Sequence, residues 1–318
     1  MIHSRIAGTG SYLPEKIITN ADLEKMVDTS DEWIRSRTGI ERRHVAADGQ
    51  TTVDLAEQAA RRALDAAGIA PTDVDFIAFG TTTPDLVFPN CGVLLQQRLG
   101  CRGGPAFSVE TACAGFMYAL SIADKFVRCG EAKRALVIGS ETLSRITDWS
   151  DRGTAVLFAD GAGAVVLEPS TQPGVLSTHL HADGVYKDLL YCSSGVSRGF
   201  APKLTITMSG NEVFKVAVTK LGQAVDETLA ANGLTKEALD WLVPHQANIR
   251  IIQAMARRLD LPMEKVIVTV QEHGNTSAAS VPLALDVAVR DGRIKRGELL
   301  LLEAFGGGFT WGSALVRY

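Results

Sequence analysis

The pattern of apolar positions first predicts a helix followed by a buried strand. Apolar residues recur with helical spacing after Thr51, where Thr51 and Asp54 form the pattern of a capping box, and this Ala-rich stretch ends at Gly68. Eight residues after that glycine, the continuous apolar run 76–79 is typical of a strand covered on both faces. The pattern therefore predicts that this helix packs against a buried strand.

The same pattern returns 165 residues later along the chain. A predicted helix from about 211 to 232 ends at Gly233, and the apolar run 241–243 begins eight residues after that glycine. The offset of 165 also relates the small-residue stretches 110–115 and 275–280, each of which leads into a predicted helix. One offset that persists over about 80 positions indicates an internal duplication.

The later strands of the two halves show where the copies differ in length. The apolar run 135–139 lies 165 residues before 300–304, whereas 161–168 resembles 312–318 at an offset of about 150. The smaller offset indicates some 15 additional residues in the first half, within 142–160.

Each half therefore reads as helix, strand, helix, strand, strand, an order that predicts an α/β layered architecture with two similar halves packed together. We expect the N-terminal half to span residues 1–172 and the C-terminal half 173–318. Two segments are expected to interrupt the repeat as insertions: the charged residues 20–50 and the Gly-, Ser- and Leu-rich residues 170–210.

Composition narrows the class of protein. The 318 residues are 46% hydrophobic and 21% charged with a net charge of −4, which is typical of a globular protein and does not favour nucleic-acid binding. No apolar run approaches the ~18 residues of a membrane span, and no leader pattern is seen, so we expect a cytoplasmic protein without a membrane partner. Five cysteines are too few for a disulfide scaffold, and their odd number leaves at least one thiol free.

Cys113 is the first candidate for chemistry. It lies between small residues where a loop leads into a predicted helix, and a helix N-terminus favours the nucleophilic thiolate. A buried structural cysteine is the competing interpretation, and it is the commoner role of this residue. The other four cysteines lack this setting and are expected to be structural.

His245 and Asn275 gain weight from the duplication. His245 follows the apolar run 241–243, and sites of layered α/β folds collect at the carboxyl ends of strands; His273 is the second choice. Asn275 is three positions from the counterpart of Cys113. If a pseudo-two-fold axis relates the halves, a thiol, an imidazole and an amide converge at the centre, although a structural histidine and an ordinary Asn N-cap are the alternatives.

Two further segments have the composition of binding sites. The run 305–309 contains three glycines, which bring backbone N–H groups close to a ligand as an oxyanion hole requires, or else form a plain turn. The predicted amphipathic helix 248–259 places Arg250 and Arg257 on one face, and Lys215 adds charge nearby. This patch is either a solvated helix face or a docking surface for an anionic partner. Dinucleotide, triphosphate and metal motifs are absent from the sequence.

Several longer motifs resemble one known family. The chain is similar over its whole length to β-ketoacyl-[acyl carrier protein] synthase III, the condensing enzyme that starts bacterial-type fatty acid synthesis. The motifs are GTGSYLPE at 8–15, DTSDEWIRSRTGI at 28–40, TACAGF at 111–116, DRGTAVLFADGAGA at 151–164, HADG at 181–184, GNEVFK at 210–215, VPHQAN at 243–248, HGNTSAAS at 273–280 and EAFGGGFTWG at 303–312. The resemblance implies the thiolase fold, an internally duplicated five-layer α-β-α-β-α arrangement, and a homodimer.

The resemblance also implies a reaction and the residues that perform it. Cys113 would take an acetyl group from acetyl-CoA, with the N–H groups of Cys113 and Gly307 as the oxyanion hole, and His245 and Asn275 would stabilise the enolate formed when malonyl-acyl carrier protein loses CO2. No cofactor is implied. The residues implied for binding CoA and substrate are Thr29, Trp33, Arg37, Arg152, Gly210, Asn211, Phe214, Ala247, Asn248 and Phe305, with Phe88 of a partner subunit at the acyl pocket; Lys215, Arg250 and Arg257 would bind the carrier protein.

One departure and four alternatives accompany the resemblance. Glu110 and Thr111 stand where small apolar residues are expected in the family, which leaves the choice of primer open. A thiolase would need a second cysteine near the C-terminal glycines, but Cys192 is the last, and an elongating synthase would have His at position 275. A papain-like protease shares the order Cys, His, Asn but lacks that family's local signature. A non-catalytic binding module would predict that Cys113 resists acylation.

Overall fold

The computed structural model of the protein describes residues 2–200 and 203–318. In these ranges the strands are β1 His3–Tyr12, β2 Lys16–Thr19, β3 Arg42–Val45, β4 Phe76–Gly80, β5 Ala106–Val109, β6 Ala135–Thr142, β7 Asp160–Ser170, β8 Val175–Ala182, β9 Leu190–Cys192, β10 Ile206–Met208, β11 Trp241–Pro244, β12 Leu299–Gly306 and β13 Thr310–Arg317. The helices are α1 Asn20–Leu23, α2 Asp31–Thr38, α3 Thr52–Ala67, α4 Cys91–Leu99, α5 Gly115–Arg128, α6 Arg152–Ala155, α7 Gly210–Ala231, α8 Ile249–Arg258, α9 Val270–His273 and α10 Ser280–Arg290.

Two mixed sheets repeat one topology. The first has the order β1-β7-β6-β4-β5 and the second the order β8-β13-β12-β11. In both, the two strands at the β1 or β8 edge pair antiparallel, and β4 with β6, like β11 with β12, pair in parallel. The counterpart of β5 is a single parallel bridge between Leu242 and Val266. The duplication inferred from the offset is therefore confirmed.

The protein has five layers that pack around three apolar cores. The outer core of the first half packs α3 and α4 against one face of the first sheet, and the central core packs α5 and α10 between the two sheets. The third core packs α7 and α8 against the outer face of the second sheet. Because each sheet is covered on both faces, its central strands are continuous apolar runs, and in β12 Leu300 and Leu302 face the central core while Leu301 faces the outer one. The five-layer prediction is confirmed.

Of the two predicted insertions, the structure agrees with the first and corrects the second. Residues 20–50 lie outside both large sheets, as expected, and contain α1, α2 and β3. Residues 170–210 are not simply an insertion, because they include β8, the counterpart of β1 in the repeat. The alternation of β8 is weak, with most of its residues only half-buried, so the sequence pattern did not reveal it. The first sheet uses strands within 3–170 and the second within 175–317, and the division at 172/173 stays a prediction.

The predicted helix ends agree with the structure. The Thr51–Asp54 capping box opens α3, and Gly68 closes it in the left-handed conformation with φ of 66°. Asn248 caps α8 by accepting a hydrogen bond from the N–H of Ile251. In the described residues, none of the helices is long and apolar enough to cross a bilayer.

Candidate active site

The three side chains predicted to converge do line one cavity. Cys113 stands in the 3-10 turn Ala112–Ala114 that leads into α5, His245 follows β11, and Asn275 precedes the turn Ser277–Ala279 that leads into α10. All three are almost fully buried, and the cavity they line has a volume of about 130 Å³. The duplication thus brings one thiol, one imidazole and one amide to the point where the halves meet.

The two turns that enter α5 and α10 are matching strained elements. Ala112 has φ of 45° and Ser277 has φ of 50°, and these two residues are 165 positions apart. A non-glycine residue in the left-handed region stores strain that the surrounding structure must hold. The turns lie close together, since a Cβ on Gly115, directly after the first turn, would lie 3.2 Å from the Cβ of Ala278 in the second. Both halves therefore fix the backbone at the site.

Asn275 is held by the additional residues of the first half. Its backbone N–H donates to the carbonyl of Leu157 at 2.9 Å, and its carbonyl accepts from the N–H of Ala159 at 2.9 Å. Its Oδ1 accepts from the N–H of Ser277 at 2.9 Å. Because the oxygen is engaged in this way, the amide NH2 group is left as a donor toward the cavity.

His245 is a neutral donor whose tautomer is set by Ser280. Its Nδ1 lies 2.5 Å from Ser280 Oγ, and that oxygen already accepts from the backbone N–H of Gln246 at 3.3 Å. We assign the ring proton to Nε2, because the Ser280 hydroxyl can then donate a hydrogen bond to Nδ1. Burial lowers the pKa of His245 to about 3, so the imidazole is uncharged at neutral pH.

In the first half, glycines occupy the two positions that correspond to His245 and Ser280. Gly80 and Gly115 occupy the positions 165 residues before His245 and Ser280. A Cβ on Gly80 would lie 2.5 Å from the carbonyl carbon of Gly115, so the two backbones touch where the second half places an imidazole and a hydroxyl. The duplication thus became asymmetric at the site.

Cys113 is protonated in the resting structure, in contrast to the thiolate favoured by its place at a helix N-terminus. Burial raises the pKa of the thiol, a hydrogen bond with Ser277 partly opposes the rise, and the nearby Glu141 adds to it; together these effects place the pKa at about 12. Glu141 is itself buried and accepts from Ser277 Oγ at 3.1 Å and from Thr83 Oγ1 at 2.6 Å. The thiol must therefore give up its proton during attack on a substrate.

The glycines after β12 allow close approach to Cys113. A Cβ on Gly306 would lie 2.6 Å from the backbone nitrogen of Cys113, so this position admits glycine alone. Gly307 is in the turn 307–309 between β12 and β13. Its role as the second oxyanion donor stays a prediction.

Not all residues predicted to bind CoA and substrate line this cavity. Trp33 lies apart from it and forms its own cluster, with the guanidinium carbons of Arg152 and Arg37 at 4.8 Å and 5.9 Å from the ring centroid. Thr29 precedes α2, the helix that contains Trp33 and Arg37, and its buried hydroxyl has no hydrogen-bond partner. Asn211 is exposed at the start of α7, and Phe88 is 83% exposed. The predicted residues in the cavity wall, besides the three central ones, are Gly210, Phe214, Ala247, Asn248 and Phe305.

The predicted basic patch is exposed beside the cavity wall. Lys215, Arg250 and Arg257 are all exposed, and the guanidinium carbon of Arg250 lies 5.2 Å from the ring centroid of Phe214. Arg258, on the same helix, is ion-paired with Asp226 instead. The patch is thus next to one of the aromatic side chains that line the site.

The remaining candidates have other surroundings. His273 is buried but is not part of the cavity wall, and Cys129 and Cys192 are exposed rather than structural; all five cysteines are free thiols. Glu110 lines a second cavity of about 720 Å³ with Leu86 and Val87, so its carboxylate does not enter the cavity of Cys113. In the described part of the chain, no group of three or more potential ligands could hold a metal ion.

Three further residues of the site were not predicted from the sequence, namely Ser280, Glu141 and Glu303. Ser280 and Glu141 bind His245 and Ser277, and nothing local in the sequence distinguishes them. Glu303 lines the cavity and interrupts the apolar run of β12, and a lone carboxylate in such a run was a signal that could have been noticed.

Comparison with known proteins identifies the family. The family model described as 3-oxoacyl-[acyl-carrier-protein (ACP)] synthase III matches residues 107–184, and the model of its C-terminal part matches residues 229–318. The protein is 65% identical over its whole length to the β-ketoacyl-[acyl-carrier-protein] synthase III of Xanthomonas campestris pv. campestris, and the match covers 99% of that relative. Identity to the enzyme of that name from Alkalilimnicola ehrlichii is 64%, with complete coverage of both chains.

A solved structure of this family has the same fold. The crystal structure of 3-oxoacyl-[acyl-carrier-protein] synthase III from Aquifex aeolicus VF5 matches 99% of this chain and 100% of its own, with 47% identity and a TM-score of 0.95. Full-length identity well above half and this agreement in fold lead to one conclusion. The chain belongs to the β-ketoacyl-[acyl-carrier-protein] synthase III family.

Proposed function

We propose that the protein catalyses the initiating condensation of fatty acid synthesis: acetyl-CoA, or another short acyl-CoA, reacts with malonyl-acyl carrier protein to give 3-oxoacyl-acyl carrier protein, CO2 and CoA. The observation that carries the proposal is the meeting of Cys113, His245 and Asn275 in one buried cavity. A thiol nucleophile beside two neutral hydrogen-bond donors suits this reaction, because the second step requires stabilisation of an enolate and does not require a strong base.

The first half-reaction transfers the acyl group to Cys113. The sulfur bonds to the thioester carbon of acetyl-CoA, the N–H groups of Cys113 and Gly307 hold the oxyanion, and the C–S bond to CoA then breaks. The proton of Cys113 leaves with the CoA thiolate. Burial favours the neutral thiol at rest, so proton loss accompanies attack instead of preceding it.

The second half-reaction forms the new carbon–carbon bond. Loss of CO2 from the malonyl group leaves an enolate, whose oxygen accepts hydrogen bonds from His245 Nε2–H and the Asn275 amide. The enolate carbon attacks the acyl group on Cys113, the C–S bond breaks, and the released thiolate takes up a proton from water. The reaction involves no net oxidation or reduction, so it requires no cofactor, and the free thiol suits a cytoplasmic location.

The path of the pantetheine chain follows from two regions of the structure. Arg152 and Trp33 would hold the adenine of CoA between guanidinium and indole, with Arg37 and Thr29 near its phosphates. The arm would then reach Cys113 past residues of α7 and the turn before α8, namely Gly210, Asn211, Phe214, Ala247 and Asn248, with Phe305 in the wall.

Intact-mass analysis tests the proposal directly. The protein is incubated with a panel of acyl-CoAs, and the expected result is one acyl group per chain for the accepted primers. Addition of malonyl-carrier protein should then discharge this group as the 3-oxoacyl product. A chain that neither gains mass nor forms product with any primer would refute the assignment, and the panel also reports the chain-length preference.

We propose that Lys215, Arg250 and Arg257 bind the acidic carrier protein. Arg250→Ala should lower kcat/KM for malonyl-carrier protein by about tenfold at low salt and weaken its salt dependence, because a rim charge acts mainly on association. Arg258→Ala is the matched control, since Arg258 shares the helix but is already paired with Asp226. Equal effects of the two variants on steady-state kinetics would contradict this docking surface.

We propose that the chain forms a homodimer in which Phe88 of the partner subunit reaches the acyl pocket. Leu86, Val87 and Phe88 are 50%, 65% and 83% exposed, a consecutive apolar run of the kind that interfaces cover. Light scattering should give twice the 34.0 kDa chain mass, and Phe88→Asp should shift the protein toward the monomer. Ile17→Asp, at an exposed apolar residue of the antiparallel β2–β3 pair, is the control and should leave the dimer intact.

A further inference from the structure

Glu303 is a buried acid without a partner in the cavity wall. Its side chain is 0% exposed, and neither Oε1 nor Oε2 has a hydrogen-bond partner. It lines the same cavity as Cys113, His245 and Asn275, and its backbone carbonyl accepts from the N–H of His245 at 2.8 Å. Two unpartnered oxygens in so dry a place are costly unless the group is neutral and a ligand binds it.

The surroundings of Glu303 contain no compensating charge. On β12 it shares a face with Leu301 and Phe305, which pack in the outer core, and α7 contributes only apolar residues to the cavity wall. The titratable groups beside it are Cys113 and His245, both neutral at pH 7. No lysine or arginine lines the cavity.

The other elements that pack on β12 also place no positive charge beside the Glu303 carboxyl. On β13 the facing residue is Ser313, whose hydroxyl is engaged with Thr228. The helices α5 and α10 pack on the opposite face of β12, and their acids Asp124 and Asp286 bind hydroxyl groups of β1. Burial alone therefore raises the pKa of Glu303, to about 8.

We propose that Glu303 acts as a third neutral hydrogen-bond donor of the condensation site, which binds a carboxylate oxygen of the malonyl group through its O–H and excludes that group once it ionises. This inference rests on the proposed function. A lysine or arginine at this place would fix the negative charge on the carboxylate and so oppose its flow toward the thioester during loss of CO2. A neutral acid positions the carboxylate without holding its charge.

The direction of the pH dependence follows. Below about pH 8 Glu303 is protonated and donates; above it, the ionised group would confront the malonyl carboxylate in a cavity without a cation. The acyl-enzyme is prepared at pH 7, freed of CoA and mixed with malonyl-carrier protein from pH 6 to 10. For the wild type, kcat/KM for malonyl-carrier protein should fall about tenfold per pH unit above pH 8.

Glu303→Gln separates this role from a structural one. The amide keeps the shape and a donor but cannot ionise, so the variant should retain activity at pH 7 within about tenfold and lose the alkaline fall. Glu264→Gln, the same change at an exposed residue, is the control and should match the wild type at every pH. Any effect of pH on the carrier protein is common to all three proteins.

The outcomes distinguish this inference from the proposed function. An alkaline fall that persists in Glu303→Gln overturns the inference, whereas a wild type that is not acylated at pH 7 overturns the function itself. If the variant is inactive at all pH values, infrared spectra decide the question. The wild-type minus Glu303→Gln difference should show a protonated carboxyl band that disappears between pH 7 and 9, and absence of this band overturns the inference.

Discussion

Cys113→Ser is expected to abolish formation of the acyl-enzyme and with it the condensation, by about three orders of magnitude or more. The substitution removes the one soft nucleophile in the cavity, and a serine hydroxyl there has no base to activate it, because His245 carries its ring proton on Nε2 while Nδ1 accepts a hydrogen bond from Ser280. The measurement is the mass gained with acetyl-CoA, followed by the rate of product formation with malonyl-carrier protein.

Cys91→Ser is the matched control. Cys91 is also buried at the first position of a helix, α4, and burial likewise raises the pKa of its thiol to about 12. It differs from Cys113 in lying outside the cavity. Cys91→Ser should therefore acylate and turn over as the wild type does. Full activity of Cys113→Ser, or equal losses in both variants, would remove Cys113 from the mechanism.

Gly139→Ala is expected to lower the free energy of unfolding by more than about 3 kcal/mol and to abolish activity. Gly139 is on β6, and a Cβ there would lie 2.1 Å from the carbonyl oxygen of Ala278 and 2.7 Å from its carbonyl carbon. Backbone atoms of the turn before α10 cannot rotate away as a side chain can. The methyl group would force apart the two halves at the point where Asn275 meets Cys113.

The control for Gly139→Ala is Gly68→Ala, at the end of α3. Gly68 has φ of 66° and nothing within 4 Å of its hypothetical Cβ, so alanine there meets backbone strain of about 1–2 kcal/mol but no collision. Denaturant unfolding and acetyl-CoA labelling of both variants separate the two effects. Comparable stability of the two variants would show that the contact between the halves adapts more easily than its geometry indicates.

Much of the architecture follows from local patterns. The capping box at Thr51, the left-handed glycine at 68 and the continuous apolar runs are determined by short-range physics, so they could be assigned without coordinates. The offset of 165 then predicted that two like halves meet. The strand β8 was missed because an edge strand with half-buried residues has neither a continuous apolar run nor clear alternation.

The site was predicted in position but not in electrostatics. Residue type and the offset pointed to Cys113, His245 and Asn275. The helix N-terminus suggested a thiolate, whereas burial leaves a neutral thiol, because desolvation depends on every atom packed around the sulfur and a sequence does not show that packing.

By itself, the sequence of this protein determined a duplicated α/β fold, the family to which it is similar and the three residue types that meet at its centre. The tertiary structure alone decided which protons those residues hold and which further groups join them. Ser280, Glu141 and Glu303 act through contacts between segments far apart in the chain, namely 35 residues for Ser280 with His245 and 136 for Ser277 with Glu141. Local periodicity carries no information about such contacts, because hydrogen bonding and desolvation in a buried site depend on the packing of the whole fold.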